Sequence, residues 1–220
     1  MMHYHATPED HAVLEKKGFL LVDSGATYMD GTTDITRTYP LGPLTEDEKR
    51  FYTWTLQSHI DLAKAVWLDY CECKMIDTIA REPLWRHLIN YRCGTGHSVS
   101  FVGNVHEGPH ALNSRNTTRM SPGMVVTDEP GVYETDLVGI RIENELVCVH
   151  KADNQYGTFL GFEPLMFVPI ATSPILPGVL DKDEIAWLND YHRQVFAKLA
   201  PHLNDEERSW LAEKCAAIGC

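Results

Sequence analysis

The sequence predicts an α+β fold, and three observations carry that prediction. Two segments, near residues 19–39 and 124–149, have the β-forming runs and turn residues of antiparallel hairpins. Helical stripes lie between and after these hairpins, segregated in blocks instead of alternating with single strands. Apolar residues make up 44% of the chain and charged residues 23%, ordinary values for a globular protein, and 220 residues are enough to bury a full core.

Phe19–Val22 reads as a buried strand leading into Asp23-Ser24-Gly25. Met29-Asp30-Gly31 carries a turn signal, Thr33–Tyr39 is rich in β-formers, and Pro40–Leu44 ends the hairpin. Thr45-Glu46-Asp47-Glu48 has the capping-box pattern, with Thr45 as N-cap and Glu48 three residues on. The helix it opens shows a stripe at Leu56, Ile60, Ala63 and Trp67. A second helix is expected from about Lys74 to His87, kinked or split at Pro83. Val99–Val102 and Met124–Thr127 read as short strands and Gly139–Val149 as a longer one, the last two flanking Asp128–Val138. Residues 150–179 are rich in Pro and Gly and show little periodicity. From Asp181 two helices close the chain, the first with Ile185, Leu188, Tyr191, Val195 and Leu199, the second with Trp210 and Leu211. No low-complexity stretch or linker divides residues 1–220, which are read as one domain.

The net charge of −12 argues against nucleic acid and anionic membrane as partners, because phosphate neutralisation needs a basic patch. No apolar run is long enough to span a bilayer and no signal peptide is evident. The six cysteines, at 71, 73, 93, 148, 215 and 220, are read as reduced thiols of a cytoplasmic protein. Cys71-Glu72-Cys73 has no second pair to complete a zinc site.

Four acids stand out because their neighbours are apolar: Asp23 after Leu20-Leu21-Val22, Glu129 after Val125-Val126, Glu143 between Ile140-Ile142 and the strand beyond, and Asp34 in the first hairpin. Residues opposite one another on antiparallel strands share a face. If Asp23 faces Asp34, the loop centre falls at Tyr28-Met29. If Glu129 faces Glu143, it falls at Asp136. Both are credible turns. Four carboxylates buried on one face would each cost several kcal/mol if uncompensated, on the order of magnitude usual for buried charges. Arg37 and Arg141 do not neutralise four acids; a pair of divalent cations would. Such hard, oxygen-rich ligands favour Mn²⁺, with Co²⁺, Fe²⁺ and Zn²⁺ as alternatives. Two cations held together can share a hydroxide and polarise a carbonyl, which is hydrolytic machinery.

The same residues carry a family resemblance. "DSGATYMDGTTDITRT", "GTGH", "NVHEGP", "TDEPGVYE", "GIRIENELV" and "LGFEPLMFVPI" resemble the catalytic half of Xaa-Pro aminopeptidases, the aminopeptidase P branch of the creatinase/prolidase/methionine aminopeptidase superfamily (peptidase family M24). The likeness runs along nearly the whole chain. It implies the pita-bread fold, a curved antiparallel sheet with helices on its outer face. It implies a dinuclear metal site held by Asp23, Asp34, His97, Glu129 and Glu143, with a bridging hydroxide. His106 and His3 would contact substrate and take part in catalysis, Glu129 would shuttle a proton, and Arg141 would orient carboxylates at the substrate site. The activity implied is release of an N-terminal residue that precedes proline, from peptides with proline in second position. Prolidase action on dipeptides and an inactive binding module are the alternatives, and a homodimer is one option for assembly. His110 is read as a bystander on a loop, and His5, His11, His59, His87, His150, His192 and His202 as ordinary polar or surface residues.

Three departures from the family pattern are visible. Cys93 stands where many relatives carry a histidine before "GTGH". Ser98-Val99-Ser100 stands where relatives usually show glycines. Only about 18 residues without helical pattern precede the first hairpin, whereas two helical segments precede the second. The chain is therefore expected to be a C-terminal catalytic domain truncated at its N-terminus, with one face of the first hairpin uncovered.

Overall fold

The structure, a computed structural model, describes residues 6–219, so His3 and His5 lie outside the described residues. Phe19–Tyr28 (β1) and Gly31–Pro40 (β2) pair antiparallel around Met29-Asp30. Gly31 leaves the turn at φ 150°, which a glycine adopts without steric cost. That turn lies one residue beyond the expected centre, so Asp23 is opposite Thr36, and Asp34 is opposite Gly25. The two acids stay on one face because a pairing shift of two residues preserves side-chain parity.

Thr45 caps Glu46–Ala63 (α1), accepting from the Glu48 amide at 3.2 Å while the Glu48 carboxylate accepts from the Thr45 amide at 2.7 Å. Leu56, Ile60 and Ala63 are buried as the stripe requires, but Trp67 falls beyond the helix on Val66–Leu68 (β3). Cys73–Trp85 (α2) keeps Pro83 inside its final turn and stops two residues later.

Gly96–Ser98 (β4), Glu107–Leu112 (β5), Val125–Asp128 (β6), Asn144–Asn154 (β9) and Gly157–Pro164 (β10) join β3 in a six-stranded sheet of order β3-β10-β9-β6-β4-β5. Gly131–Glu134 (β7) and Val138–Arg141 (β8) form a separate hairpin. Every pairing is antiparallel. The expected strand Val99–Val102 does not form. Phe101 and Val102 point outward, 70% and 61% exposed, and the strand is instead Gly96–Ser98, where the Gly96 backbone lies against Thr127 too closely for any Cβ. The stretch after residue 150, expected to be irregular, holds the end of β9 and all of β10. Pairing to β3 on one side and β9 on the other supplies the order that periodicity did not show.

The expected strand Gly139–Val149 is two strands, β8 and β9, with a break at Ile142-Glu143. The register is continuous across it: Asp128 pairs with Asn144 on one side and Gly131 with Arg141 on the other. At the break Pro130 offers no N–H, the Glu129 amide donates to the Thr95 carbonyl at 2.7 Å, and the Glu143 amide donates to the Thr36 carbonyl at 3.1 Å. This exchange of partners stitches the β1–β2 hairpin to the main sheet.

Lys182–Leu199 (α3), opened by Asp181 and Glu184 as a second capping box, and Asp205–Lys214 (α4) complete the chain. The core lies between the helices and one face of the strands. Leu146 and Cys148 of β9 pack with Leu62, Ile76 and Ala80, and Ile140 and Ile142 pack with Leu56, Ile60 and Leu188. Arg141, Glu143 and Glu145, alternating with these, face away from the helices. On β1, residues Ser24–Tyr28 are exposed. Among the described residues no helix is long and apolar enough to cross a membrane, and the cysteines described are all free thiols.

Candidate metal centre

The faces that turn away from the helices line a cleft of about 780 Å³. β2 brings Asp34 to it, β4 brings His97, and the break in the long ladder brings Glu129 and Glu143. Among the described residues, one ligand atom each from Asp34, His97 and Glu143 lie within 4.8 Å of one another. Glu129 joins them through Oε1, 3.1 Å from His97 Nε2, and Asp34 Oδ2 is 3.5 Å from the same nitrogen. Asp23 lines the cleft but stands apart. Its Oδ2 meets Arg141 Nη2 at 2.5 Å, and its side chain is 51% exposed. The expectation of four buried acids is therefore corrected: Glu143 is buried, Asp34 and Glu129 are partly covered, and Asp23 is open because nothing among the described residues covers that part of β1.

The electrostatics are those of an anion cluster short of positive charge. Burial, reinforced by Glu129 and Asp34, holds the Glu143 carboxyl well above the usual carboxylate range, and its Oε1 is buried without a hydrogen-bond partner. Burial alone would depress His97, but hydrogen bonds to Asp34 and Glu129 outweigh it and push the imidazole up to about 10. Burial likewise raises Asp23 against the opposing pull of Arg141. A buried orphan oxygen ringed by two further carboxylates and one imidazole is a donor set that a hard divalent cation fits.

Arg141 is the organising cation. It is buried and reaches Asp23, the Tyr133 hydroxyl at 2.7 Å and the Thr36 hydroxyl at 2.9 Å, with Glu129 at 3.8 Å and Glu143 at 4.0 Å. Its guanidinium thus bonds one carboxylate and lies beside two others. The His106 ring sits edge-on to His97, centroids 4.1 Å apart, and is exposed at the cleft. Cys93 borders the cleft with its thiol 3.8 Å from the Gly131 carbonyl, and burial pushes that thiol up. His110 is not on a loop. It is buried on β5, with Nε2 at 2.7 Å from the Val125 carbonyl.

Several residues that hold the site had not been singled out from sequence. Thr36 donates to Glu143 Oε2 at 2.5 Å. Thr127 donates to Glu129 Oε1 at 3.1 Å and accepts from the His97 amide at 3.0 Å. Behind the strands, Thr95 donates to the buried Asp77, and His59 Nδ1 lies 3.1 Å from Asp128 Oδ2. The available signal was parity: Thr36 and Thr127 each lie two residues from an acid on the same strand path.

Known proteins are similar to this chain in sequence and in fold. Residues 1–150 match metallopeptidase family M24, and residues 158–218 match the C-terminal region of that family. A probable Xaa-Pro aminopeptidase P of Coprinopsis cinerea is 40% identical over 99% of this chain and 36% of its own length. Aminopeptidase P2 of Arabidopsis thaliana is 42% identical over 96% of this chain and 31% of its own. The crystal structure of X-prolyl aminopeptidase from Caenorhabditis elegans, described as a cytosolic enzyme with a di-nuclear active site, superposes with a TM-score of 0.86 at 39% identity, covering 91% of this chain and 34% of that one. Prolidase from Pyrococcus furiosus superposes with a TM-score of 0.57 at 29% identity over 68% of this chain. The chain thus spans about a third of the length of its aminopeptidase relatives. With its first 150 residues matched throughout, and with those residues forming the acid and imidazole cluster, the chain belongs to metallopeptidase family M24.

Proposed function

We propose that this chain is the catalytic part of a metal-dependent exopeptidase that hydrolyses the bond between an N-terminal residue and a following proline. The observation that carries the proposal is the buried, unpartnered Glu143 oxygen set among Asp34, His97 and Glu129 in an open cleft. Asp23, Asp34, His97, Glu129 and Glu143 would hold two divalent cations, Mn²⁺ before Co²⁺, Fe²⁺ or Zn²⁺. Bound there, the cations supply activated water at neutral pH and Lewis-acid polarisation of the scissile carbonyl.

The remaining chemistry belongs to the chain. Arg141 fixes the carboxylates. His106 stabilises negative charge that develops on the carbonyl oxygen. Glu129 carries the proton to the departing imino nitrogen, and Thr127 holds its carboxylate in place. His3 is assigned a substrate contact on family resemblance alone. Residues 1–220 are read as one catalytic domain. A cytoplasmic location and peptide substrates belong to the same proposal.

The test is elemental analysis combined with Mn²⁺-dependent hydrolysis of an Xaa-Pro-Xaa tripeptide and an Xaa-Pro dipeptide. About two metals per chain with tripeptide cleavage is expected. Cleavage of the dipeptide alone would make the protein a prolidase, and absence of bound metal would end both readings.

A further inference from the structure

Beyond the hairpin and the loop after β4 lies a second cavity, about 740 Å³. Three of its lining side chains are more than nine-tenths buried, and each has a polar atom without a hydrogen-bond partner: Ser100 Oγ, His110 Nδ1 and Glu145 Oε1. The catalytic cluster uses none of these atoms. His110 donates through Nε2 to the Val125 carbonyl, and in the tautomer that does so Nδ1 is an acceptor. Glu145 Oε1 is likewise buried with no hydrogen-bond partner.

The unpartnered Glu145 and His110 atoms are acceptors and the Ser100 hydroxyl can accept as well as donate, and buried acceptors call for donors. Asp30 adds a second carboxylate on the turn, and among the described residues no lysine or arginine lines the cavity. An anion is therefore disfavoured. A metal ion is disfavoured as well: Glu145 and His110 belong to no group of three converging ligands among the described residues. Val125, Met124, Leu165 and Met166 provide apolar wall, and Tyr28 and Phe101, 61% and 70% exposed, stand beside it. Apolar walls with acceptors between them and aromatic rings nearby suit an alkyl chain ending in a cation.

We propose that this cavity is a second binding site, taking an alkylguanidinium or alkylammonium group of the kind an arginine or lysine side chain carries. The cation hydrogen-bonds to Glu145, Ser100 and His110, and its methylenes lie along Met124, Val125 and Leu165. Thr32 and Thr33 border both this cavity and the catalytic cleft, so a chain lying in the cleft has a short path to it. The site does not depend on bound metal or on peptidase activity.

Titration calorimetry with n-butylguanidinium on the full chain tests the proposal. Saturable one-site binding is expected, with 1-pentanol, similar in length but uncharged, weaker by about tenfold or more, and with Glu145→Gln and Ser100→Ala each reducing affinity by about tenfold. Glu129→Gln, in the other cleft, should leave this binding unchanged. If Glu145→Gln unfolds the protein, Ser100→Ala and His110→Gln decide the matter. Absence of binding overturns the proposal, as does equal binding of pentanol, or loss of binding in Glu129→Gln with retention in the second-cavity variants. Comparing agmatine with N-acetyl-arginine amide, which carries the same cation on a peptide unit, then tells a free amine from a peptide side chain by which binds more tightly.

Discussion

Thr36 shows how much of the site rests on one hydroxyl. It donates to Glu143 and accepts from Arg141 Nε, and it is fully buried. Thr36→Val keeps the shape and removes both bonds, leaving a buried carboxylate oxygen unpaired. A loss of about 1–3 kcal/mol in urea unfolding is expected, because an orphaned buried acceptor costs its full desolvation. Glu129→Gln should lower kcat on an Xaa-Pro-Xaa peptide by about 100-fold or more while the circular dichroism stays that of the parent, since a positioned proton-transfer group contributes on that scale. Unchanged kcat in that variant would remove Glu129 from its assigned role. His97 makes a further prediction. Without a cation its imidazole holds a proton up to about pH 10 between Asp34 and Glu129, and a metal ligand must be neutral. Metal uptake at pH 7 therefore releases protons, and affinity falls as pH is lowered. Calorimetry in buffers of different ionisation enthalpy measures that release. The Asp23 and Asp34 pairing expected from sequence differed by one turn position, an error that parity absorbed and that left both acids on the same face.

Among the elements, the start of α1 was legible to the residue, because its capping box is a local signal, although its apolar stripe was read on to Trp67, beyond its end at Ala63. Thr45→Ala removes the side-chain acceptor of the Glu48 amide and should cost about 1 kcal/mol in denaturant unfolding, typical of a lost N-cap. The strands were less legible. β10 was missed outright: it is the second arm of a hairpin with β9 that turns at Gln155-Tyr156, and its other edge is ordered by β3, far back in the chain. Val99–Val102 had β-forming residues and no strand to join. The break between β8 and β9 was invisible for a related reason: the register runs on unbroken across it, and the amides of Glu129 and Glu143 turn to Thr95 and Thr36 instead of to each other's strands.

For the molecule as a whole, the concentration of acids at one cleft would tie stability to cations bound at the proposed site. Chelation with EDTA should lower the melting temperature, and Mn²⁺ should restore it in a concentration-dependent way, as linkage requires of a ligand that binds only the folded state. Stability should also fall on mild acidification through His192, which burial and the nearby Arg37 lower from its ordinary value to about 4. The folded ring stays neutral while the unfolded one takes up a proton below about pH 6.5, so this contribution is lost between about pH 6.5 and pH 4. His192→Gln, which keeps an acceptor for the Ile170 amide, should flatten that part of the stability profile measured by urea unfolding. The sequence by itself determined the fold class, the starts of the helices that open on capping boxes, and that Asp23, Asp34, Glu129 and Glu143 line one cleft, because caps, periodicity and strand parity are encoded within a few residues; the imidazole among them came from the family resemblance. Only the tertiary structure decided that Asp23 lies open against Arg141, that Thr36 and Thr127 clamp the ligand carboxylates, and that His110, Glu145 and Ser100 share a second cavity. Those facts depend on strands distant in sequence meeting edge to edge, and solvent exclusion, which sets the charge state and partners of a buried group, exists only once they have met.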